Sequence, residues 1–301
     1  MKTSYRIEAL GRLKVTGLDA GAFLQGQVTS DVLALNPGDL GTGAFCNPKG
    51  RVIANFLIVH DKEGFLLLLA SDLVESICQH LQKYILRRQV FLEVPTTGTI
   101  GIAKAADLPA ILSGQDLTLP RAQGVIDTPK GKVIVYAGGG QHVLIIDETD
   151  TLSFTQGCGD QQFFYEEIER GFPWIKASTR DLFLPQMLDL ERFGGISYQK
   201  GCYTGQEIVA RTHFLGQLKR VLYRGSFSAS SEIHEGAPIH LGHGGTSESV
   251  GSLINQTRDS EGTIHCLVIL QKDQASSSDL RLNAADGPCL NLVPLERPLN
   301  S

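Results

Sequence analysis

Cys202 stands in the run Lys200-Gly201-Cys202-Tyr203-Thr204-Gly205-Gln206-Glu207, between two glycines, two residues after a lysine and just before 206–211, a stretch able to begin a short helix. The thiolate, rather than the thiol, is the nucleophile and metal ligand. A lysine cation and the positive end of a helix both favour the ionised sulfur, and flanking glycines let a ligand or partner approach the backbone. Cys202 and Lys200 are therefore the catalytic candidates, and the chemistry expected of them is that of an accessible, partly ionised thiolate. A second reading stays open, because cysteine is among the most buried residue types and a lysine nearby in sequence guarantees no contact.

Other residues carry weaker signals. Cys46 closes a strand-like run, and the Asn47-Pro48-Lys49-Gly50 that follows is a turn, which favours a structural role. Glu169 lies in the last turn of an expected helix, where the helix dipole disfavours a carboxylate and asks for a compensating partner. A planar ligand with N–H donors, such as a pterin, would serve, and so would solvent beside Arg170. Phe163 and Phe164 fit either ring stacking on a ligand or core packing. Lys200, Arg211, Lys219 and Arg220 cluster in sequence as a small basic patch or an ordinary solvated face. Gly138-Gly139-Gly140 lacks the Lys-Ser/Thr and helix of a phosphate loop and reads as a turn, as does the segment holding His240 and His243.

These side chains need elements to hold them. Residues 11–15 read as a strand, and Asp19 begins a helix that buries Phe23 and Leu24 and stops near Gly26. Residues 51–60 and 65–70 are β-rich runs joined by a polar, glycine-containing hairpin turn. From Asp72 onward, Leu73, Ile77, Leu81, Tyr84 and Ile85 recur at helical spacing, with Glu75, Gln79, Gln82 and Lys83 on the other face. Strands are expected at 90–94, 99–103, 132–137 and 142–146, and a short helix around 106–112. Asp160 opens a helix over 161–170 that Gly171-Phe172-Pro173 ends. After about Gly216 come short strand candidates at 220–227, 237–241, 250–255, 263–271, 280–283 and 289–293, the pattern of a small antiparallel barrel or sandwich. The chain is thus α+β, divided into 1–218 and 219–301.

A chain of 301 residues with 42% apolar and 20% charged residues buries a substantial core in about two or three structural units, and wholesale disorder is excluded. The net charge of -5 gives no ground for tight non-specific binding to nucleic acid, which makes RNA an indirect partner. No apolar run reaches the length of about 18 residues that a membrane helix needs, and the first ten residues lack a signal-peptide core. Six cysteines scattered singly, without a Cys-x-x-Cys pair, fit reduced thiols in a cytoplasmic protein and no structural zinc site.

The segment from Lys200 to Glu207, extended by Val209-Ala210-Arg211, resembles the signature segment of the YgfZ family of folate-binding proteins over eight consecutive positions. Phe23-Leu24-Gln25-Gly26-Gln27-Val28-Thr29-Ser30-Asp31-Val32 resembles the family's N-terminal segment, Cys46-Asn47-Pro48-Lys49-Gly50-Arg51 its Cys-x-x-Lys-Gly turn, and Ile168-Glu169-Arg170-Gly171-Phe172-Pro173 its helix-ending segment. The resemblance implies the fold of the glycine-cleavage T-protein (GcvT): two interleaved α/β lobes around a folate cleft, followed by a C-terminal antiparallel β-barrel. It implies tetrahydrofolate or a derivative as cofactor, with Gln27, Val28 and Thr29 at the cleft edge, Asn55 near the folate nitrogen, Phe163 and Glu169 around the pterin, and Tyr203 and Arg211 contributed by the signature segment. It further implies an accessory role beside iron–sulfur enzymes or their assembly proteins, with tRNA modification as the downstream effect and Cys202 as the working thiol.

Two departures bear on activity. T-proteins carry an aspartate shortly after the glycine turn, whereas 52–56 here reads Val52-Ile53-Ala54-Asn55-Phe56, with no carboxylate to manage a proton. That weakens the alternative, a tetrahydrofolate-dependent aminomethyl- or methyltransferase. Some family members also place tryptophan at two folate-contacting positions that match Leu10 and Phe163; a phenyl ring stacks, but leucine cannot.

Overall fold

Four consecutive leucines, Leu66 to Leu69, are fully buried, as expected of a strand covered on both faces. They lie in β5 (Gly64–Ala70), the middle of a sheet ordered β3 (Leu40–Cys46), β4 (Val52–His60), β5, β2 (Leu10–Thr16), β6 (Phe91–Glu93). The β4–β5 hairpin forms at the expected turn, where the Asp61 carboxylate accepts the Glu63 and Gly64 N–H groups. Helix α1 (Ala20–Gln25) packs on β5 and α2 (Val74–Ile85) on β2. Val74, Ile77 and Leu81 of α2 are buried at three- and four-residue spacing, each contributing about 1.5–3 kcal/mol.

A second sheet, ordered β1 (Ser4–Ile7), β7 (Thr99–Lys104), β10 (His142–Asp147), β9 (Gly131–Val135), β8 (Gly124–Thr128), pairs antiparallel throughout and packs α3 (Leu108–Ile111) against Ala103, Val133, Val143 and Ile145. α4 (Gly159–Arg170) and α5 (Gln206–Phe214) follow. The third sheet runs β15 (Leu280–Leu282), β12 (Pro238–Leu241), β13 (Gly251–Arg258), β14 (Ile264–Gln271), β11 (Arg220–Phe227), β16 (Asn291–Val293). It curls as a half-barrel around Phe227, Ile239, Leu253, Val268 and Leu282.

This architecture is a computed structural model that describes residues 4–112, 124–135, 142–229, 232–242, 249–293 and 295; the expected turn at Gly138-Gly139-Gly140 and His243 lie outside these. The chain divides into two units. One comprises Met1–Cys46, Ala54–Phe163 and Gly194–Thr204; the other comprises Asn47–Ile53, Phe164–Phe193 and Gly205–Ser301.

The expected mixture of helices and hairpins is present, and the differences are local. Asp19 does not cap α1: its carboxylate instead accepts the Gln89 N–H at 2.7 Å. α2 starts at Val74, after a 3-10 turn over Ser71–Leu73, and stops where Leu86 turns to φ +52°, short of Arg87 and Arg88. The strands β1 and β8 were not expected; both are short outer strands with charged or half-exposed side chains that break the alternation.

Candidate functional site

Two segments 170 residues apart in sequence meet within the first unit. Lys200 is buried, and its ammonium donates to the carbonyls of Gln25 (2.6 Å), Val28 (2.7 Å) and Ser30 (2.8 Å), one acceptor for each N–H bond it owns. Thr29, fully buried, completes the joint: its hydroxyl donates to the Gly195 carbonyl and accepts the Ala44 N–H, while its own carbonyl accepts the Ser197 N–H. Val28 is fully buried in a bridge to Phe45, and Gln27 is half-buried. The loop over 25–30 is therefore fixed between β3 and the signature segment. Burial pulls the Lys200 pKa down to about 8, with Asp31 opposing the shift. A neutral amine has only two N–H bonds, so deprotonation leaves one of the three carbonyls without its donor.

Around this joint the polar groups divide sharply by burial. The Tyr203 ring centroid lies 5.2 Å from the Lys200 ammonium, and desolvation followed by the nearby Cys46 raises the phenol pKa. The Tyr203 hydroxyl and the Ser30 hydroxyl are buried and have no hydrogen-bond partner among the described residues. Cys46 is buried, and its thiol is pushed up to about 12 by desolvation, so it behaves as a small apolar group. Cys202, in contrast, is exposed, and a methyl group added at Gly201 meets nothing within 4 Å.

In the second unit the Cys-x-x-Lys-Gly turn meets the start of α5. The Asn47 side chain accepts the Lys49 and Arg51 N–H groups and donates to Asp181 at 2.7 Å, closing the turn. Gly50 (φ +70°) and Gly205 (φ +83°) stand backbone to backbone: a Cβ on Gly205 lies 2.4 Å from the Asn47 carbonyl, and one on Gly50 lies 3.0 Å from Ile208. Only glycine fits this approach. Gly205 thus admits the chain's own turn, while Gly201 is the glycine that stays open. Arg211, on the exposed face of α5, pairs with Glu207 at 2.9 Å.

Asp160, expected to cap α4, accepts the Glu8 and Ala9 N–H groups at 2.8 and 2.9 Å instead. Phe163, three residues on and so on the same helix face, is buried, and the corner reached by Asp160 leads directly into Leu10. Leu10 lines a cavity of about 340 Å3 together with Arg6, Glu8, Arg12, Ser71 and Val74. Asn55 is fully buried in β4. Glu169 finds its compensating partner in Arg224 of β11, an ion pair within the second unit.

The carboxylate that reading the sequence missed is Glu167. It is buried, accepts from Arg170 and from the Trp174 indole N–H at 2.7 Å each, and desolvation raises its pKa against the pull of Arg170 and Trp174. The signal available was its seven-residue spacing from Trp174, an indole that needs an acceptor once buried. Among the described residues no group of three or more His, Cys, Asp or Glu side chains is placed to hold a metal ion, and no helix is long and apolar enough to cross a membrane.

The fold defines a class first. The chain superposes on the crystal structure of glycine cleavage system aminomethyltransferase T from Bartonella henselae with a TM-score of 0.71, covering 97% of this chain and 84% of that one at 11% identity. At that identity the likeness establishes a GcvT-like fold. No family model matches the sequence. Relatives do: a tRNA-modifying protein YgfZ from Escherichia fergusonii is 30% identical over 294 residues, covering 93% of this chain and 89% of the relative. The YgfZ of Photorhabdus laumondii subsp. laumondii is 27% identical across 99% of this chain and 93% of its own. The chain belongs to the YgfZ family.

Proposed function

We propose that this protein binds tetrahydrofolate or a derivative and acts as a cytoplasmic accessory factor for iron–sulfur enzymes, through which it supports tRNA modification, with Cys202 as its functional thiol. The observation that carries the reading is the joint at Lys200, which fixes the 25–30 loop against the signature segment and leaves Cys202 exposed. The relatives' description as tRNA-modifying proteins and the GcvT-like fold support it from outside the chain.

Two features of the first unit support a folate as the ligand. A pteridine needs hydrogen-bonding partners and an apolar wall. Ser30 and Tyr203 have buried hydroxyls without partners among the described residues, and Leu10 borders a cavity of about 340 Å3. Within the first unit, Gln27, Val28 and Thr29 would form the edge, with Asn55 and Tyr203 as further contacts. When bound, the cofactor would supply a one-carbon carrier. The chain's own part is to hold and orient: Lys200 and Thr29 keep the loop in register, and Cys202 presents sulfur to a partner. Asn55 can donate or accept a hydrogen bond but cannot take a proton at neutral pH, so it cannot serve as the base that aminomethyl transfer needs. An accessory role is therefore favoured over the transferase alternative.

Calorimetric titration with tetrahydrofolate tests the reading. Saturable 1:1 heat is expected. Leu10→Trp, which adds a stacking ring beside the cavity, should tighten binding by about threefold to tenfold. Absence of saturable heat overturns the folate assignment, and methylene-tetrahydrofolate formation from an aminomethyl donor would promote the transferase. Cys202→Ser should fold normally yet fail to complement a strain lacking the endogenous protein; full rescue removes the thiol from the mechanism.

A further inference from the structure

The proposed function reaches RNA only through a client enzyme; one surface of the second unit points further. Immediately after α5 the chain lines a concavity of about 920 Å3 with Gly216, Gln217, Leu218, Lys219 and Arg220, and the β14 end contributes Gln271, Lys272 and Asp273. Arg220 is paired with Gln271 in the β11–β14 ladder, and the Lys272 N–H donates to the Lys219 carbonyl at 2.9 Å. The ladder therefore ends on two exposed lysines set opposite one another, a like-charge arrangement that is unfavourable unless an anion screens it. Asp273 is the one acidic side chain in the lining, against three cations. Among the described residues no ion pair involves Lys219, Arg220 or Lys272.

The chain just ahead of this lining is apolar. Phe214 and Leu215, just ahead of Gly216, are 66% and 85% exposed at the end of α5. A cationic hollow with amide side chains, followed on the chain by a largely exposed aromatic ring that meets His213 edge-on, matches the parts list for unpaired nucleic acid, in which phosphates follow the cations and bases stack on aromatic faces. One phosphate would leave most of the volume empty. An anionic bilayer would engage the charges but needs a broader apolar face than two side chains provide.

We infer that this concavity is a docking site for single-stranded or loop RNA, in which Lys219, Arg220 and Lys272 meet phosphates and Phe214 stacks a base. The site is separate from the folate reading and does not depend on it. Of the basic residues that cluster in sequence, Lys200 is withdrawn by burial, Arg211 is engaged by Glu207, and Lys272 joins from elsewhere in the chain.

The test is fluorescence anisotropy of the full chain with a labelled uridine oligonucleotide of about twelve nucleotides, a length within the usual site size. Three phosphate contacts predict that log K falls against log salt with a slope of about -2, so binding weakens roughly twentyfold between about 50 and about 200 mM salt. Lys219→Gln/Lys272→Gln should flatten that slope to about -0.7. Phe214→Ala should weaken the single strand by at least about fivefold while leaving a duplex of the same length unchanged. Trp174 emission and tetrahydrofolate heat, measured on the same variants, should match the parent and so report an intact fold and an intact folate site. The inference is overturned by absence of binding at about 50 mM salt, by a salt slope that the lysine pair does not move, by a Phe214→Ala effect equal on single strand and duplex, or by preference for phosphatidylserine vesicles over the oligonucleotide. Failure of the RNA arm with folate heat retained leaves the proposed function standing, and the reverse pattern leaves this surface standing.

Discussion

At the residue scale the signature segment combines two opposite environments within three positions. Lys200 is withdrawn into the protein and consumed by three backbone carbonyls, whereas Cys202 reaches solvent. Their substitutions should therefore separate. Lys200→Met strands buried acceptors and should cost about 3 kcal/mol in urea unfolding, while Cys202→Ser should change stability by less than about 0.5 kcal/mol. Equal effects would mean that the ammonium is not what fixes the loop. Glu167 allows a test with pH. Desolvation raises its folded pKa, so the folded state takes up the proton first as pH falls. The stability this carboxyl contributes is then fully present below its unfolded pKa of roughly 4.3 and lost as pH rises through the folded value. Measured as the difference in unfolding free energy between wild type and Glu167→Gln, it should decline from acid toward neutral pH. A rising difference would show that Arg170 and Trp174 outweigh desolvation. The sequence left an exposed and a buried Cys202 both open, and the structure shows it exposed; it carried no sign that Lys200 points inward, because its acceptors are backbone carbonyls and backbone carbonyls have no sequence signature.

At the element scale, glycine placement separates construction from access. Gly205 opens α5 at φ +83° with the Asn47 carbonyl 2.4 Å from any added Cβ, whereas Gly201 has open space. Gly205→Ala should therefore cost about 2–3 kcal/mol and loosen the 47–50 turn, and Gly201→Ala should stay within about 0.5 kcal/mol, both read by thermal or denaturant unfolding. A silent Gly205→Ala would mean that the two turns do not hold each other. Elements with a strong period were legible: α2 from its helical spacing, the β4–β5 hairpin from its turn residues, and the strands after residue 216 from regular turn punctuation. Their partners were not. Asp19 and Asp160 have the residue type of an N-cap yet bond to Gln89 and to Glu8 and Ala9, since a short carboxylate beside a helix start serves whichever N–H the tertiary fold brings near. The outer strands β1 and β8 carry too few buried side chains to leave a pattern.

At the scale of the whole molecule, each unit is assembled from segments distant in sequence, and the strand-rich region after residue 218 is not the only contributor to its own unit. Trp174 shows the consequence. Its peptide N–H donates to the Asn255 side chain at 2.7 Å, and that side chain donates back to the Trp174 carbonyl at 2.9 Å, with both residues buried. A chain cut after residue 218 separates this reciprocal pair. In the fragment 1–218 two backbone groups of Trp174 lose their partner and the indole loses cover, so its emission should shift to the red. The fragment 219–301 keeps Asn255 with an unsatisfied buried amide and should unfold without a cooperative transition. Mixing the fragments should restore the blue emission if the pair is a principal tie between those stretches of chain, and Asn255→Leu in the 219–301 fragment should weaken that recovery. Cooperative unfolding of 219–301 alone, with an unshifted Trp174 in 1–218, would instead show that the sheet from β11 to β16 is an autonomous domain and that the Trp174–Asn255 contact is incidental to both halves.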